Sequence, residues 1–295
     1  MPELPEVETV RRSLEPHAVG RRVRGVEVLR GSVIEGEASA EALLVGRVLR
    51  GVHRHGKLLM ILAESGEAEG AASAKVGGRC LAIHLGMSGQ VLVKTTRQEL
   101  RSLSHVHVVW EVERVDEAGR GVESVWIGFR DPRRFGGVWT FDDEARLREA
   151  KLSVMGPDAL VIEGGALFEA LRRTSRAVKA ALLDQRVLAG VGNIYADEAL
   201  FRSRIDPRTK GRRLARERVE ELAAMIRAVL AEAVDARGST LRDYVDAEGA
   251  QGGFALRHAV YGRGGQACTV CGTTLKQITL AQRTTVFCPG CQKRV

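Results

Sequence analysis

The last 33 residues hold four cysteines, arranged as Cys268-x-x-Cys271, sixteen further residues, then Cys288-x-x-Cys291. Each pair can clamp a metal from one tight turn. Four thiolates at this spacing make a closed tetrahedral zinc site, which is structural because no coordination position is left for a substrate. Residues 277–287 between the pairs read as a hairpin presenting Gln282-Arg283-Thr284-Thr285, and a guanidinium at the tip of such a ribbon is a good phosphate ligand. A second cluster is Gly190-Val191-Gly192-Asn193 between two helical segments. The glycines allow a tight turn, Asn193 can cap the helix that follows, and the N–H groups at that helix start favour phosphate. A third is the start of the chain, Met1-Pro2-Glu3-Leu4-Pro5-Glu6. A small residue after Met1 permits its removal, leaving a prolyl amine. With an α-amino pKa of about 7.7–8.0, a sizeable fraction is neutral near pH 7. A neutral amine can attack an electrophilic sugar carbon and form an iminium. Glu3 and Glu6 beside it could hold or deliver a proton. Taken singly, the second and third clusters also describe an ordinary helix connection and an acidic helix start.

These residues need elements to hold them. Residues 5–17 read as a helix, with Pro5 in its first turn and Val7, Val10 and Leu14 on one face. Strand-like segments follow at 23–29, 48–52, 57–62, 80–85, 90–94, 105–112, 124–129 and 137–141, with Val106, Val108, Trp110 and Val112 expected on one face. The Gly-, Ala- and Glu-rich stretch 64–79 reads as a long exposed hairpin loop. Gly156-Pro157 and Gly164-Gly165 place the hinge between domains within 142–165. Helical periodicity then takes over at 167–173, 175–185, 193–203 and 215–236, the last carrying Leu222, Met225, Ile226, Val229 and Leu230 as a stripe. Residues 240–260, with three glycines, read as mobile. The expected fold class is a multidomain α+β protein. It comprises an N-terminal antiparallel β-sandwich with flanking helices over 1–150, a helical domain over 151–262 and a zinc ribbon over 263–295.

The charge balance points the same way. Residues 166–295 carry 22 Lys/Arg against 13 Asp/Glu, whereas residues 1–165 carry 23 against 24, so the excess positive charge lies wholly in the C-terminal part. A basic domain beside a neutral one suits a polyanion, nucleic acid first. No secretory signal or membrane-spanning run is evident, and the odd cysteine count suits a reduced, cytoplasmic setting. Cys80, in an apolar run, reads as a plain buried thiol.

Pro2-Glu3-Leu4-Pro5-Glu6-Val7-Glu8-Thr9 closely resembles the opening of the formamidopyrimidine-DNA glycosylase family. The resemblance continues through Arg54-His55-Gly56-Lys57, His84-Leu85-Gly86-Met87-Ser88-Gly89 and Asp131-Pro132-Arg133-Arg134-Phe135-Gly136. It resumes at Leu183-Asp184-Gln185, at 190–198 and at Val260-Tyr261-Gly262-Arg263, and it ends on the cysteine cluster. The order of these anchors is more specific than any one of them. The resemblance implies a bifunctional DNA glycosylase and lyase of base excision repair, acting as a monomer on double-stranded DNA that contains oxidised purines. It implies Pro2 as nucleophile, Glu3 as the acid at the sugar ring oxygen, Lys57 in β-elimination and Arg283 in the second elimination, with Glu6 as a supporting carboxylate. It also implies Met87, Arg133 and Phe135 as the side chains that fill the gap left by a flipped base. His105 and Asn193 are implied to contact phosphates, a helix–two-turn–helix element to span 175–203, one structural Zn²⁺ to sit on the four cysteines, and 240–258 to close over the flipped base. One departure is Thr174, where relatives carry a basic residue; Arg173 or Arg176 could replace it. Two rival readings are an endonuclease VIII-like enzyme for oxidised pyrimidines, disfavoured by Glu3-Leu4-Pro5 and Arg133-Arg134-Phe135, and a non-catalytic zinc-ribbon DNA-binding protein.

Overall fold

The computed structural model describes residues 2–64, 78–116, 120–240 and 244–294. The loop expected at 64–79 therefore lies, apart from its ends, outside the described residues. The chain divides into two units: a β unit of Met1–Pro2, Glu6–Ser153 and Thr240–Gly252, and a helical unit of Glu3–Pro5, Val154–Ser239 and Gly253–Val295.

Helix α1 spans Leu4–Ala18, and from Glu6 onward it belongs to the β unit. Val7, Val10, Leu14 and Ala18 follow the helical repeat, and all four are fully buried. Burial of each such Val or Leu side chain is worth about 1.5–3 kcal/mol. Nine strands follow among the described residues: β1 Arg22–Val28, β2 Ile34–Glu35, β3 Leu49–His55, β4 Leu58–Ala63, β5 Cys80–His84, β6 Gln90–Lys94, β7 Val106–Val115, β8 Gly121–Arg130 and β9 Gly137–Phe141. They form one sheet of order β1-β7-β8-β6 and another of order β2-β9-β5-β4-β3. All pairings are antiparallel except β2 with β9. Val108, Trp110, Val112, Ile127 and Phe129 of the first sheet share one core cluster with Val52, Leu59, Ile61, Leu81, Ile83 and Val138 of the second. The unit is thus the expected sandwich, with α1 completing its core.

Details differ from the sequence reading for local reasons. Val106 does not share the face of Val108 and packs instead with Leu92, Leu100 and Val109, because the β7–β8 register shifts between Val106 and Val108. One extra residue in a strand sends its side chain to the other face. The helix α2, Arg97–Arg101, was not anticipated; Thr96 and Glu99 form a reciprocal capping box that starts it. The first part of the expected hinge is helical: α3 spans Glu144–Leu147 behind the Asp143 cap, whose Oδ1 accepts from Arg146 N at 2.7 Å, and a π-turn follows over Arg148–Leu152, whereas 153–163 is turn and irregular backbone.

In the helical unit α4 (Gly164–Arg172), α5 (Val178–Leu182), α6 (Asn193–Arg202) and α7 (Arg216–Asp235) enclose a second core. Gly164 begins α4 rather than breaking it: a Cβ there would lie 2.6 Å from Glu220 Cγ on α7, so glycine permits the close helix contact. The expected stripe on α7 is buried except for the half-buried Met225. The ribbon strands β10 (Lys276–Leu280) and β11 (Arg283–Phe287) close the unit.

Candidate active site

In the β unit Lys57 sits at the β3–β4 turn, where Gly56 takes a φ of 56°. The turn is held from α1. Arg54 Nε donates to Glu8 Oε2 at 3.1 Å, and its Nη1 donates to the Gly56 carbonyl at 3.0 Å. Burial pushes the Glu8 carboxyl up, but Arg11, Arg12 and Arg54 outweigh it and hold the group below the usual carboxylate range. Lys57 itself is buried. Burial first, and the Lys57 charge second, hold His84 below the ordinary imidazole value. His84 is accordingly neutral, and its Nδ1 accepts the Gly86 N–H at 3.0 Å. Pro2 and Glu6 are buried in the same unit, where Tyr244 Oη donates to the Glu6 carbonyl at 3.2 Å. Residues 244–250 form a turn around Asp246, whose Oδ1 accepts from the amides of Glu248 and Ala250. The remainder of the segment read as mobile falls partly on 241–243, outside the described residues.

Met87, Arg133 and Phe135 are brought together on two loops. Met87 is 38% exposed and Phe135 58% exposed, and the Arg133 guanidinium lies 4.9 Å from the Phe135 ring centroid. Beneath them Asp131, fully buried, stitches the loops to each other. Its Oδ1 accepts from Ser88 Oγ at 2.6 Å and Arg133 N at 3.2 Å, and its Oδ2 accepts from Gly136 N at 2.7 Å. Ser88 Oγ in turn accepts from Arg133 N at 3.1 Å. Exposed apolar tips on a hydrogen-bonded base suit a wedge, since bare Met and Phe side chains gain nothing from water.

In the helical unit Glu3 is buried, and its carboxylate accepts from Ile194 N at 3.0 Å and Tyr195 N at 3.5 Å, the first turn of α6. This corrects the expected use of that helix start: its amides hold Glu3, where the sequence suggested phosphate. Gly192 is the N-cap, and Asn193 is the first helical residue, where the sequence suggested a cap. The two glycines are required for close approach. A Cβ on Gly192 would lie 2.3 Å from Glu3 Cδ, and one on Gly190 would lie 2.4 Å from Leu4 Cδ1. Gln185 fixes the loop, accepting from Gly190 N at 2.8 Å and donating to the Val191 carbonyl at 2.9 Å. Leu4 N donates to the Gly190 carbonyl at 3.1 Å.

The strand that begins with Arg283 hangs from α5 and α6. Asn193 Nδ2 donates to the Thr284 carbonyl at 2.9 Å, and Val286 N donates to Asp197 Oδ2 at 3.0 Å. Lys179 Nζ reaches Asp197 Oδ1 at 2.7 Å, the Thr284 carbonyl at 3.1 Å and Thr285 Oγ1 at 2.8 Å. Lys179 and Asp197 are at most 1% exposed. Burial pushes Asp197 up to about 6 despite the Lys179 charge, and burial pushes Lys179 down. Arg283 is exposed at the turn end of the hairpin, opposite Leu280 and after Ala281 and Gln282, which both take positive φ. The Thr174 hydroxyl accepts from Arg176, whose guanidinium also binds Asp184, so Arg176 is engaged; Arg173 has no carboxylate partner among the described residues.

The four cysteine Sγ atoms lie within 4.8 Å of one another, at 3.9 Å for Cys268–Cys291 and 3.4 Å for Cys271–Cys288. A tetrahedral ion with bonds of about 2.3 Å to sulfur needs sulfur–sulfur distances of about 3.8 Å. The amides of Val270 and Cys291 donate to Cys268 and Cys288 Sγ, as thiolates require. The donor set fits zinc. Cys80 stands apart, a buried thiol pushed up to about 12 by burial first and by Glu144 and Asp143 after it.

Sequence reasoning named the residues at the tips and missed those that hold them: Glu8, Ser88, Asp131, Lys179 and Asp197. Buried charge carries no local signature in a sequence. The one available sign was that Asp197 lies inside a mainly apolar stretch that follows two glycines.

Three family models match the chain: the formamidopyrimidine-DNA glycosylase N-terminal domain over residues 1–138, its H2TH domain over 155–245, and a zinc finger found in FPG and IleRS over 265–294. Formamidopyrimidine-DNA glycosylase from Pseudomonas entomophila is 41% identical over 300 residues, covering 99% of this chain and all of that one. The crystal structure of the MutM (Fpg) protein from Thermus thermophilus is similar across the full length of both chains, with 37% identity and a TM-score of 0.80. The Lactococcus lactis Fpg in complex with abasic-site DNA shares 29% identity at a TM-score of 0.79, over 99% of this chain and all of that one. The wedge, the buried acid beside Pro2 and the four-thiol ribbon thus coincide with a full-length match, and the chain belongs to the formamidopyrimidine-DNA glycosylase family.

Proposed function

We propose that this chain removes oxidised purines, formamidopyrimidines and 8-oxoguanine, from duplex DNA and then cuts the strand, with the Pro2 amine as nucleophile. The observation that best supports the reading is the Glu3 carboxylate, buried and tied to the first-turn amides of α6 one residue after Pro2. An acid held so rigidly costs no reorganisation when a proton is needed. With Met1 removed, the prolyl nitrogen attacks C1′ of the damaged nucleotide. The bond from C1′ to the base breaks, its electron pair leaving with the base, which gains a proton. Glu3 protonates the ring oxygen as the sugar opens, giving an iminium between Pro2 and C1′. Loss of a C2′ proton then expels the 3′ phosphate, with Lys57 acting. A second elimination expels the 5′ phosphate, with Arg283 acting and gripping the flanking phosphates. Glu6 supports the amine.

The sugar is reachable only when the base leaves the stack, at a cost of a few kcal/mol. Met87 and Phe135 fill the gap, and Arg133 offers its donors to O2 and N3 of the orphaned cytosine. His105 and Asn193 hold phosphates. Cys268, Cys271, Cys288 and Cys291 would hold one zinc ion, which shapes the hairpin behind Arg283 and supplies no chemistry. The division of labour is 1–150 for catalysis, 151–262 for DNA and 263–295 for the ribbon. A monomer in the reducing cytoplasm suits five cysteines that form no disulfide. Among the described residues no helix is long and apolar enough to cross a membrane.

Borohydride trapping tests the reading. The parent chain should become covalently bound to 8-oxoguanine duplex, and Pro2→Gly should abolish both the trapped species and strand cleavage. Binding without any trapped species would leave only a zinc-ribbon binder. A cleavage panel favouring oxidised pyrimidines would shift the substrate class.

A further inference from the structure

Helix α6 starts without a side-chain cap, and two glycines, Gly190 and Gly192, stand just before it. Its first-turn amides nevertheless carry the Glu3 carboxylate, at 3.0 Å from Ile194 N and 3.5 Å from Tyr195 N. Glycine leaves the backbone free to move, so that turn has to be fixed from elsewhere. The anchor is the Tyr195 side chain. It is 1% exposed, and its hydroxyl lies 3.2 Å from Ser239 Oγ, which is in turn 3.1 Å from His258 Nε2. The rings form a second line of contact. Tyr195 and Phe254 have centroids 5.8 Å apart, Phe254 and His258 5.7 Å, and His258 and Tyr261 5.4 Å, the last two pairs edge to face.

Both ends of this polar chain are held by backbone. Glu198, fully buried and one turn beyond Tyr195 on α6, accepts from the amides of Ala259, Val260 and Tyr261 at 2.9, 2.9 and 2.8 Å. The chain just after His258 is thereby tied to the helix that carries Tyr195. Around Ser239, Phe254 N donates to the Gly238 carbonyl at 3.0 Å and Gly253 N to the Ala236 carbonyl at 2.8 Å. All these residues belong to the helical unit. Burial holds the His258 imidazole below its ordinary value against the pull of the Glu198 carboxylate, so the ring is neutral. A neutral ring has one accepting nitrogen, and with Nε2 in that role the Tyr195 and Ser239 hydroxyls line up as donors towards it. A leucine at 258 would fill the space between the Phe254 and Tyr261 rings, but it would leave the two hydroxyls without their terminal acceptor.

We infer that His258 is a positioning residue for the Glu3 acid, acting through the Ser239 and Tyr195 hydroxyls on the first turn of α6. The role rests on the glycosylase reading, in which Glu3 protonates the sugar ring oxygen. His258 touches neither sugar nor base; it keeps the amides that grip Glu3 in one place.

Single-turnover rates on two duplexes, one with 8-oxoguanine and one with a ready-made abasic site, test this. An abasic sugar already exchanges with its open-chain aldehyde, so an amine reaches it without an acid at the ring oxygen. His258→Leu should slow excision of 8-oxoguanine about tenfold, with duplex affinity and abasic-site cleavage as in the parent. His258→Gln, whose side-chain oxygen accepts from Ser239 in place of Nε2, should restore the rate. Tyr195→Phe keeps the ring and removes the far end of the chain. It should show the same lesion-selective loss, and His258→Leu added to it should cost nothing further. Equal slowing on both duplexes overturns the inference, because a general loss of fold would do that. A parental excision rate in His258→Leu overturns it too, as do failure of Gln to rescue and additive losses in the double variant. Should His258→Leu not fold, parental excision by Tyr195→Phe overturns it alone. A parent that excises no oxidised base removes the glycosylase reading and this role with it; each result above is read with parental excision intact, so the two failures are distinct.

Discussion

Gly86→Ala, measured against Gly20→Ala, isolates the fit between the two wedge loops. Both glycines take positive φ, 58° and 79°. A Cβ on Gly20 would meet nothing within 4 Å, whereas one on Gly86 would lie 2.4 Å from Gly136 N, 2.4 Å from Phe135 C and 2.6 Å from Phe135 O. Alanine in left-handed backbone costs about 1–2 kcal/mol, of which about 0.4–1 kcal/mol is returned by the stiffer unfolded chain. Gly20→Ala should therefore lose about 1 kcal/mol. Gly86→Ala carries the same cost and must also move backbone by about 1 Å, a strain worth a further 1–3 kcal/mol in overpacked cores. At about 2–4 °C per kcal/mol for a unit of this size, the melting midpoint should fall by ~2–4 °C for Gly20→Ala and by ~5–15 °C for Gly86→Ala. The second readout separates packing from function. Gly86→Ala pushes the Phe135–Gly136 backbone away from the loop that carries Met87, so at a temperature where both variants are folded it alone should lose lesion-duplex affinity and opposite-base discrimination. Equal midpoints for the two variants, or Gly86→Ala with parental discrimination, would refute the argument that the two loops form one wedge.

Three further outcomes are expected. Lys179→Met leaves Asp197 buried without its cation and should destabilise the helical unit by about 3–5 kcal/mol in urea unfolding, while the double change Lys179→Met/Asp197→Leu should recover most of that; an additive double variant would contradict the pairing. Asp197, pushed up to about 6 from an ordinary value near 3.9, binds its proton more tightly in the folded state. The stability this contributes, about 3 kcal/mol, is complete below about pH 4 and is lost as the pH rises through 6; the difference between parent and Asp197→Asn in urea midpoint should therefore change over pH 4–6, and a constant difference would rule it out. Cys288→Ser should lower zinc content below one ion per chain and abolish tight DNA binding, because metal binding and folding of the hairpin are one equilibrium; full affinity without zinc would refute the ribbon's role.

Much of the site was legible in the sequence because its signals are local. Two cysteine pairs at fixed spacing specify tetrahedral sulfur ligation wherever the ribbon sits. Val7, Val10 and Leu14 announce a buried helix face, and Val108, Trp110 and Val112 a buried strand face. Pro2 and Glu3 are neighbours in the chain, so their chemistry needed no fold to be suspected. Even so, local reading erred where one residue changes the outcome: the bulge beside Val106, and the shift of the α6 cap from Asn193 to Gly192.

What the sequence alone determined is the set of reactive groups and the periodicity of the elements that carry them. Only the tertiary structure decided which groups meet. Glu3 finds Ile194 across 191 positions, Ser88 finds Asp131 across 43, and Lys179 finds Thr284 across 105. A carboxylate in a sequence has no preferred partner. It acquires one when burial removes water and leaves a single set of donors within about 3 Å, and that set is chosen by packing of the whole unit.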